Sequence, residues 1–124
     1  MQYMLMCCID EYAWDTVPDA QKDKIMREYG ELIQDLVKTG RFRGGGRLHP
    51  TAAATTVRMN KGKLVFTDGP FAETKEQLGG FYLVEAKDLD EAIAIAGRIP
   101  SVRYGSIEVR PIVTRGETAE GKVA

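Results

Sequence analysis

"QYMLMCCI", residues 2–9, is apolar on both of its sides. In an extended chain successive side chains point to opposite faces. Tyr3, Leu5, Cys7 and Ile9 therefore share one face, and Met4, Met6 and Cys8 the other. A strand without a polar side belongs in the middle of a sheet, covered front and back. The run is too short to span a bilayer and carries neither a basic leader nor a cleavage signal, so it reads as a strand of a cytoplasmic protein. Cys7 and Cys8 are adjacent and opposed, which makes a bridge between them sterically difficult. They read as two small buried thiols, with no disulfide framework.

A second strand of the same kind runs over Gly80 to Ala86, with Phe81 and Leu83 on one face and Tyr82 and Val84 on the other. Between these two lies a helix over 18–39. Ile25, Met26, Tyr29, Leu32, Ile33, Leu36 and Val37 recur at spacings of three and four. Pro18 suits its first turn, Asp19 its positive end, and Gly40 its stop. "RFRGGGRLHP" (41–50) reads as a loop or irregular edge. Ala52 to Met59 reads as a strand that turns at Asn60-Lys61-Gly62 and returns over Lys63 to Thr67. Asp10 to Pro18, with Trp14, is a connection. Asp88 should cap a second helix, with Glu91 in a capping box, a buried stripe of Leu89, Ala92, Ile93, Ala96 and Ile99, and a stop at Pro100. Ser106 to Val113 is the last strand, polar on its Glu108 and Arg110 side and so an edge.

This order gives an α+β fold, a ferredoxin-like βαββαβ with an inserted hairpin. Its first and third core strands are central, and these are the two that are apolar on both faces. Two helices can cover only one face of such a sheet. The bare face predicts a homodimer that stacks sheet on sheet. With 124 residues the chain suits one domain, over 1–113, and the polar segment 114–124 reads as a flexible tail. Seventeen basic against 18 acidic residues leave a net charge of −1. That balance offers no field to attract nucleic acid or a membrane surface.

The stretch "TDGPFAETKEQLGG" (67–80) is too long and varied for an ordinary turn. Asp68-Gly69-Pro70 is a turn signal, and Thr74 could cap a short helical turn over Lys75, Glu76 and Gln77. The functional alternative sets Asp68 and Glu73 into a cleft between the first long helix and the sheet. A carboxylate desolvated beside Phe66, Phe71 or Phe81 would serve as a general base. Lys75 or Arg58 would then hold an anionic substrate or enolate. His49, the single histidine of the chain, is a structural or exposed residue on one reading and the proton carrier on the other. It lacks partners for a metal site, and no cofactor is indicated. The Arg41 to Arg47 segment is a solvated loop or a backbone nest for an anion. Tyr29 packs in the core or reaches the cleft with its hydroxyl. Trp14, Tyr12 and Tyr82 line a small-molecule pocket or form core and dimer contacts.

"ATTVR" (54–58), "TDGPFAETKEQLGGFYLVEAKDLDEA" (67–92), "RIP" (98–100) and "IEVRPI" (107–112) resemble the YCII-related proteins, in particular the subgroup with the DGPF motif. The likeness runs from about Tyr3 to Val113. It implies a dimeric α+β barrel akin to muconolactone isomerase. Some related domains occur beside or fused to sigma factors of the extracytoplasmic-function type. The better-studied branch is associated with a histidine in its first helix and an aspartate before a proline near the end of the second. Those positions are Tyr29 and Ile99 here, so the dyad does not carry over. Two readings follow. One is an isomerase or lyase acting by proton transfer, with Asp68 as base, His49 as acid, and Glu73, Lys75, Arg58 and Tyr29 around a small acidic metabolite. The other is a non-catalytic ligand-binding or regulatory module, working with a partner such as a sigma factor.

Overall fold

The computed structural model describes residues 1–114. Ten of the eleven residues read as a flexible tail lie outside the described residues. A four-stranded antiparallel sheet is built from β1 (Gln2–Ile9), β2 (Phe42–Arg47), β5 (Gln77–Glu85) and β6 (Gly105–Pro111). The strand order is β2-β5-β1-β6, consistent with a ferredoxin-like α+β arrangement. The two strands with apolar residues on both faces, β1 and β5, occupy the centre. Two helices accompany this sheet, α2 (Asp19–Lys38) and α3 (Leu89–Gly97). Among the described residues, β3 (Thr55–Asn60) and β4 (Lys63–Asp68) pair only with each other.

The helix-facing layer of the sheet forms the core. Tyr3, Leu5 and Cys7 of β1 are buried with Tyr82 and Val84 of β5, beneath Leu32 and Leu36 of α2 and Ala92, Ile95 and Ala96 of α3. Met4, Met6, Cys8, Phe81 and Leu83 lie on the opposite face and are only half-buried. Register pairs Met4 with Leu83 and Met6 with Phe81, so they make one apolar patch. β6 borders that patch with Ser106, Glu108 and Arg110, which fits its place at the edge.

α2 ends in a double hydrogen-bonded cap. Gly40 N–H donates to the Val37 carbonyl and Arg41 N–H to that of Leu36, a Schellman arrangement. Pro18 stands just before α2, as its N-cap, rather than inside the first turn. α3 begins as expected, with Asp88 accepting the Glu91 N–H at 2.9 Å. Its buried stripe differs from the expectation, because Ile95 is buried while Leu89 and Ile93 are exposed.

Two further expectations are sharpened by the structure. Of the two readings of the glycine run, a loop or an irregular edge, the second holds: Phe42–Arg47 is an edge strand, hydrogen-bonded along β5 with one register shift. The segment from Ala52 begins with a 3₁₀ turn, and the strand proper starts at Thr55. α1 (Glu11–Asp15) is a helical turn inside what read as a connection. Asp10 caps it by accepting the N–H groups of Tyr12 and Ala13 at 3.0 and 3.3 Å.

The hairpin turn is as expected. Lys61 and Gly62 both take positive φ, 51° and 77°, as a type I′ turn requires. The hairpin's two faces differ. Val57 pairs with Phe66 and Met59 with Leu64. These four side chains are 53%, 65%, 68% and 55% exposed. The other face carries Arg58, whose guanidinium lies 4.9 Å from the Phe71 ring.

Candidate functional site

The register explains why a chamber forms under α2. On the helix side, Phe42, Val84 and Tyr3 make one filled row across β2, β5 and β1. The next row is Gly45, Tyr82 and Leu5, and the third is Arg47, Gly80 and Cys7. Two glycines and a cysteine thus stand where the first row has bulky side chains. At Gly45 the vacancy is enforced, since a Cβ there would lie 2.5 Å from the Phe81 carbonyl oxygen. Gly79, at the register shift of β5 against β1, continues the gap toward Ile9.

The resulting cavity holds about 210 Å³ between α2 and the sheet. Its walls are largely aromatic: Trp14, Tyr29, Phe42, Tyr82 and Tyr104. Trp14 stacks on Tyr104 with centroids 5.8 Å apart, and Tyr29 meets Tyr82 edge-on at 6.4 Å. Among the described residues, Arg47 is the one charged residue lining the cavity. Its guanidinium lies 5.9 Å from the Trp14 ring centroid, and Lys22 Nζ lies 5.4 Å from the same ring.

Burial sets the chemistry of the polar groups inside. It pushes the hydroxyls of Tyr82 and Tyr104 well above the ordinary phenol range, and their proximity to Tyr29 adds to the shift. The Tyr29 hydroxyl is raised by the same cause, and so is the Cys7 thiol. Ser101 is near enough to Cys7 and Tyr29 to oppose burial in part, yet its Oγ makes no hydrogen bond of ordinary geometry among the described residues. All of these groups are neutral at physiological pH. They can donate hydrogen bonds to an oxyanion or carbonyl but cannot readily accept a proton.

A groove of about 360 Å³ adjoins the chamber and shares Ile9, Trp14, Arg47 and Gly79 with it. His49, Glu11 and Asp15 line this groove. Glu11 is held in place, accepting the Thr51 N–H and hydroxyl, each at 2.8 Å. That clasp ties α1 to the 3₁₀ turn that follows His49 and Pro50.

Of the residues singled out in the sequence, Tyr29 lines the chamber and His49 the groove. Trp14 and Tyr82 line the chamber as well, whereas Tyr12 is exposed. Asp68, Glu73, Lys75 and Arg58 are exposed on the hairpin and the loop beyond it, and line neither space. The loop is held by its backbone. Gly69 N–H donates to the Ala54 carbonyl at 2.8 Å, and Thr56 Oγ1 donates to the Gly69 carbonyl at 2.7 Å. Thr74 does not cap a helical turn; its hydroxyl donates to the Glu76 carbonyl at 2.5 Å, and β5 starts directly after. Sequence reasoning missed Gly80 and Tyr104 as lining residues. It reads Gly45 and Arg47 as part of a solvated loop or of a backbone nest for an anion, without placing them in this chamber.

A comparison with curated proteins finds a relative in Rhizobium meliloti (strain 1021), "Uncharacterized protein R00369". It is 39% identical over 114 residues, covering 90% of this chain and 92% of the relative. The family model for the YCII-related domain matches residues 1–115. Together these matches span β1 to β6, the chamber and the groove, and the chain belongs to the YCII-related domain family.

Proposed function

We propose that this protein binds a small organic acid in the chamber between α2 and the sheet, as one half of a homodimer joined through the face that the helices leave bare. The observation that carries the reading is the composition of the chamber. It is an aromatic pocket whose hydroxyls and thiol are kept protonated by burial, with a single guanidinium lining it among the described residues. Such a pocket recognises an apolar body and one anionic group. The string DGPFAETKE at 68–76 supports assignment to the DGPF subgroup. Two thiols without a disulfide between them fit a reducing compartment, the cytoplasm.

The groove favours a second reading, a proton-transfer enzyme of isomerase or lyase type. His49 and Glu11 would supply acid–base groups beside a substrate whose developing oxyanion is met by Tyr29. Asp68, Glu73, Lys75 and Arg58 enter this reading as residues of an exposed loop, and Asp68→Ala at undiminished rate would remove the first of them. A regulatory role beside a sigma factor rests on the family likeness alone.

The binding reading is tested by thermal shift with small carboxylates, lactones and phosphorylated metabolites. A ligand present at 100 times its Kd adds about 2.7 kcal/mol to stability. At least one carboxylate should raise the melting temperature of the wild type and fail to do so for Ile33→Phe, which narrows the chamber from α2. Equal stabilisation of both proteins, or none of the wild type, would overturn it.

A further inference from the structure

We infer that the acid taken by the chamber is aromatic, its ring lying among Trp14, Tyr29, Tyr82 and Tyr104 and its carboxylate at Arg47. This rests on the reading of the chamber as a binding site and names its ligand class.

Three observations converge on it. The first is size. An apolar protein cavity of about 150 Å³ takes up benzene, and the chamber offers about 210 Å³. It has room for one substituted ring. The second is shape. The stacked Trp14–Tyr104 pair and the edge-on Tyr29–Tyr82 pair present ring faces and ring edges to the same space. A flat ring satisfies both geometries, offset against one pair and edge-on to the other. The third is charge. Lys22 and Arg47 both lie over Trp14, a wall of the chamber, and neither forms an ion pair among the described residues. Glu11, which shares the groove with Arg47, is committed to Thr51. A guanidinium without a carboxylate partner beside an apolar pocket is a seat for a carboxylate, which it can grip through two N–H groups. The phenol hydroxyls deeper in, held in their donor form, would meet a ring oxygen or carbonyl carried by the same ligand.

Phenylacetate and its neutral isostere phenylacetamide separate the elements of this inference. Binding is measured by calorimetry and by the emission of Trp14, the single tryptophan of the chain and a wall of the chamber. Phenylacetate should bind at least about tenfold more tightly than the amide, the ratio expected of one charge-assisted contact. Arg47→Met, which keeps an apolar stem against Trp14, should abolish that preference, weakening phenylacetate at least about tenfold more than the amide. Equal binding of the two probes with a Trp14 response would overturn the carboxylate seat while the chamber stands as a binding site. Failure of both probes where an aliphatic carboxylate binds and alters Trp14 emission would overturn the aromatic class alone. Binding without any Trp14 response would overturn the chamber reading itself, as would the absence of binding by any carboxylate.

Discussion

Cys7 and Gly80 face each other across β1 and β5, and their small size leaves the helix-facing layer of the sheet unfilled at one end. The same burial that makes the chamber keeps its polar groups protonated. The Cys7 thiol is raised mainly by desolvation, and Cys8, on the other face, by desolvation with Glu108 and Glu76 adding repulsion. A raised thiol pKa means less thiolate, and the thiolate is the reactive form. Both cysteines should therefore react with a disulfide reagent far more slowly at neutral pH in the native protein than after unfolding, and faster as the pH rises. A rapid stoichiometric burst at neutral pH would contradict this. The tyrosines act in the same direction: above about pH 10 unfolded phenols ionise first, so the raised native values make stability fall as pH climbs through that range. Little of this was legible from sequence. Tyr29 could be found from the apolar stripe of α2. The vacancy at Gly45 and Gly80 depends on the register of strands remote in sequence, and no local pattern reports it.

At the scale of elements, sequence patterns served where side chains carry a period. β1, β5, α2 and the type I′ hairpin follow from alternation, three-and-four spacing and turn chemistry. β2 was legible only as a loop or an irregular edge, because a run of three glycines has no side chains to alternate and poor strand propensity; its pairing with β5 holds it extended at the sheet edge. α1 escaped because five residues are too few to show a helical period. The conspicuous loop after β4 is exposed and held by backbone contacts, so a string of distinctive residues did not coincide with the cavity. The α3 cap gives a quantitative test. Asp88→Ala removes the acceptor for the Glu91 N–H and should cost about 1 kcal/mol, a drop of a few degrees in Tm. Asp90→Ala, in the same first turn but without a capping bond, should cost less. Equal losses in thermal denaturation would show that the cap contributes nothing.

At the scale of the whole molecule, one sheet has two unlike faces. Helices bury the first and enclose the chamber. The second carries Met4, Met6, Phe81 and Leu83 with no helix or strand of the described residues over it, and the hairpin adds an exposed apolar face of its own. A two-stranded hairpin is marginal in water without something to pack on. A second copy applied to the bare face would cover both strands that read as apolar front and back. Light scattering after size exclusion tests this most directly. At micromolar concentration the wild type should have twice the mass of the chain, and Leu83→Glu, which places a charge on the bare face, should be a folded monomer by circular dichroism. A wild type that runs as a stable monomer, or a Leu83→Glu protein that remains dimeric, would contradict the account.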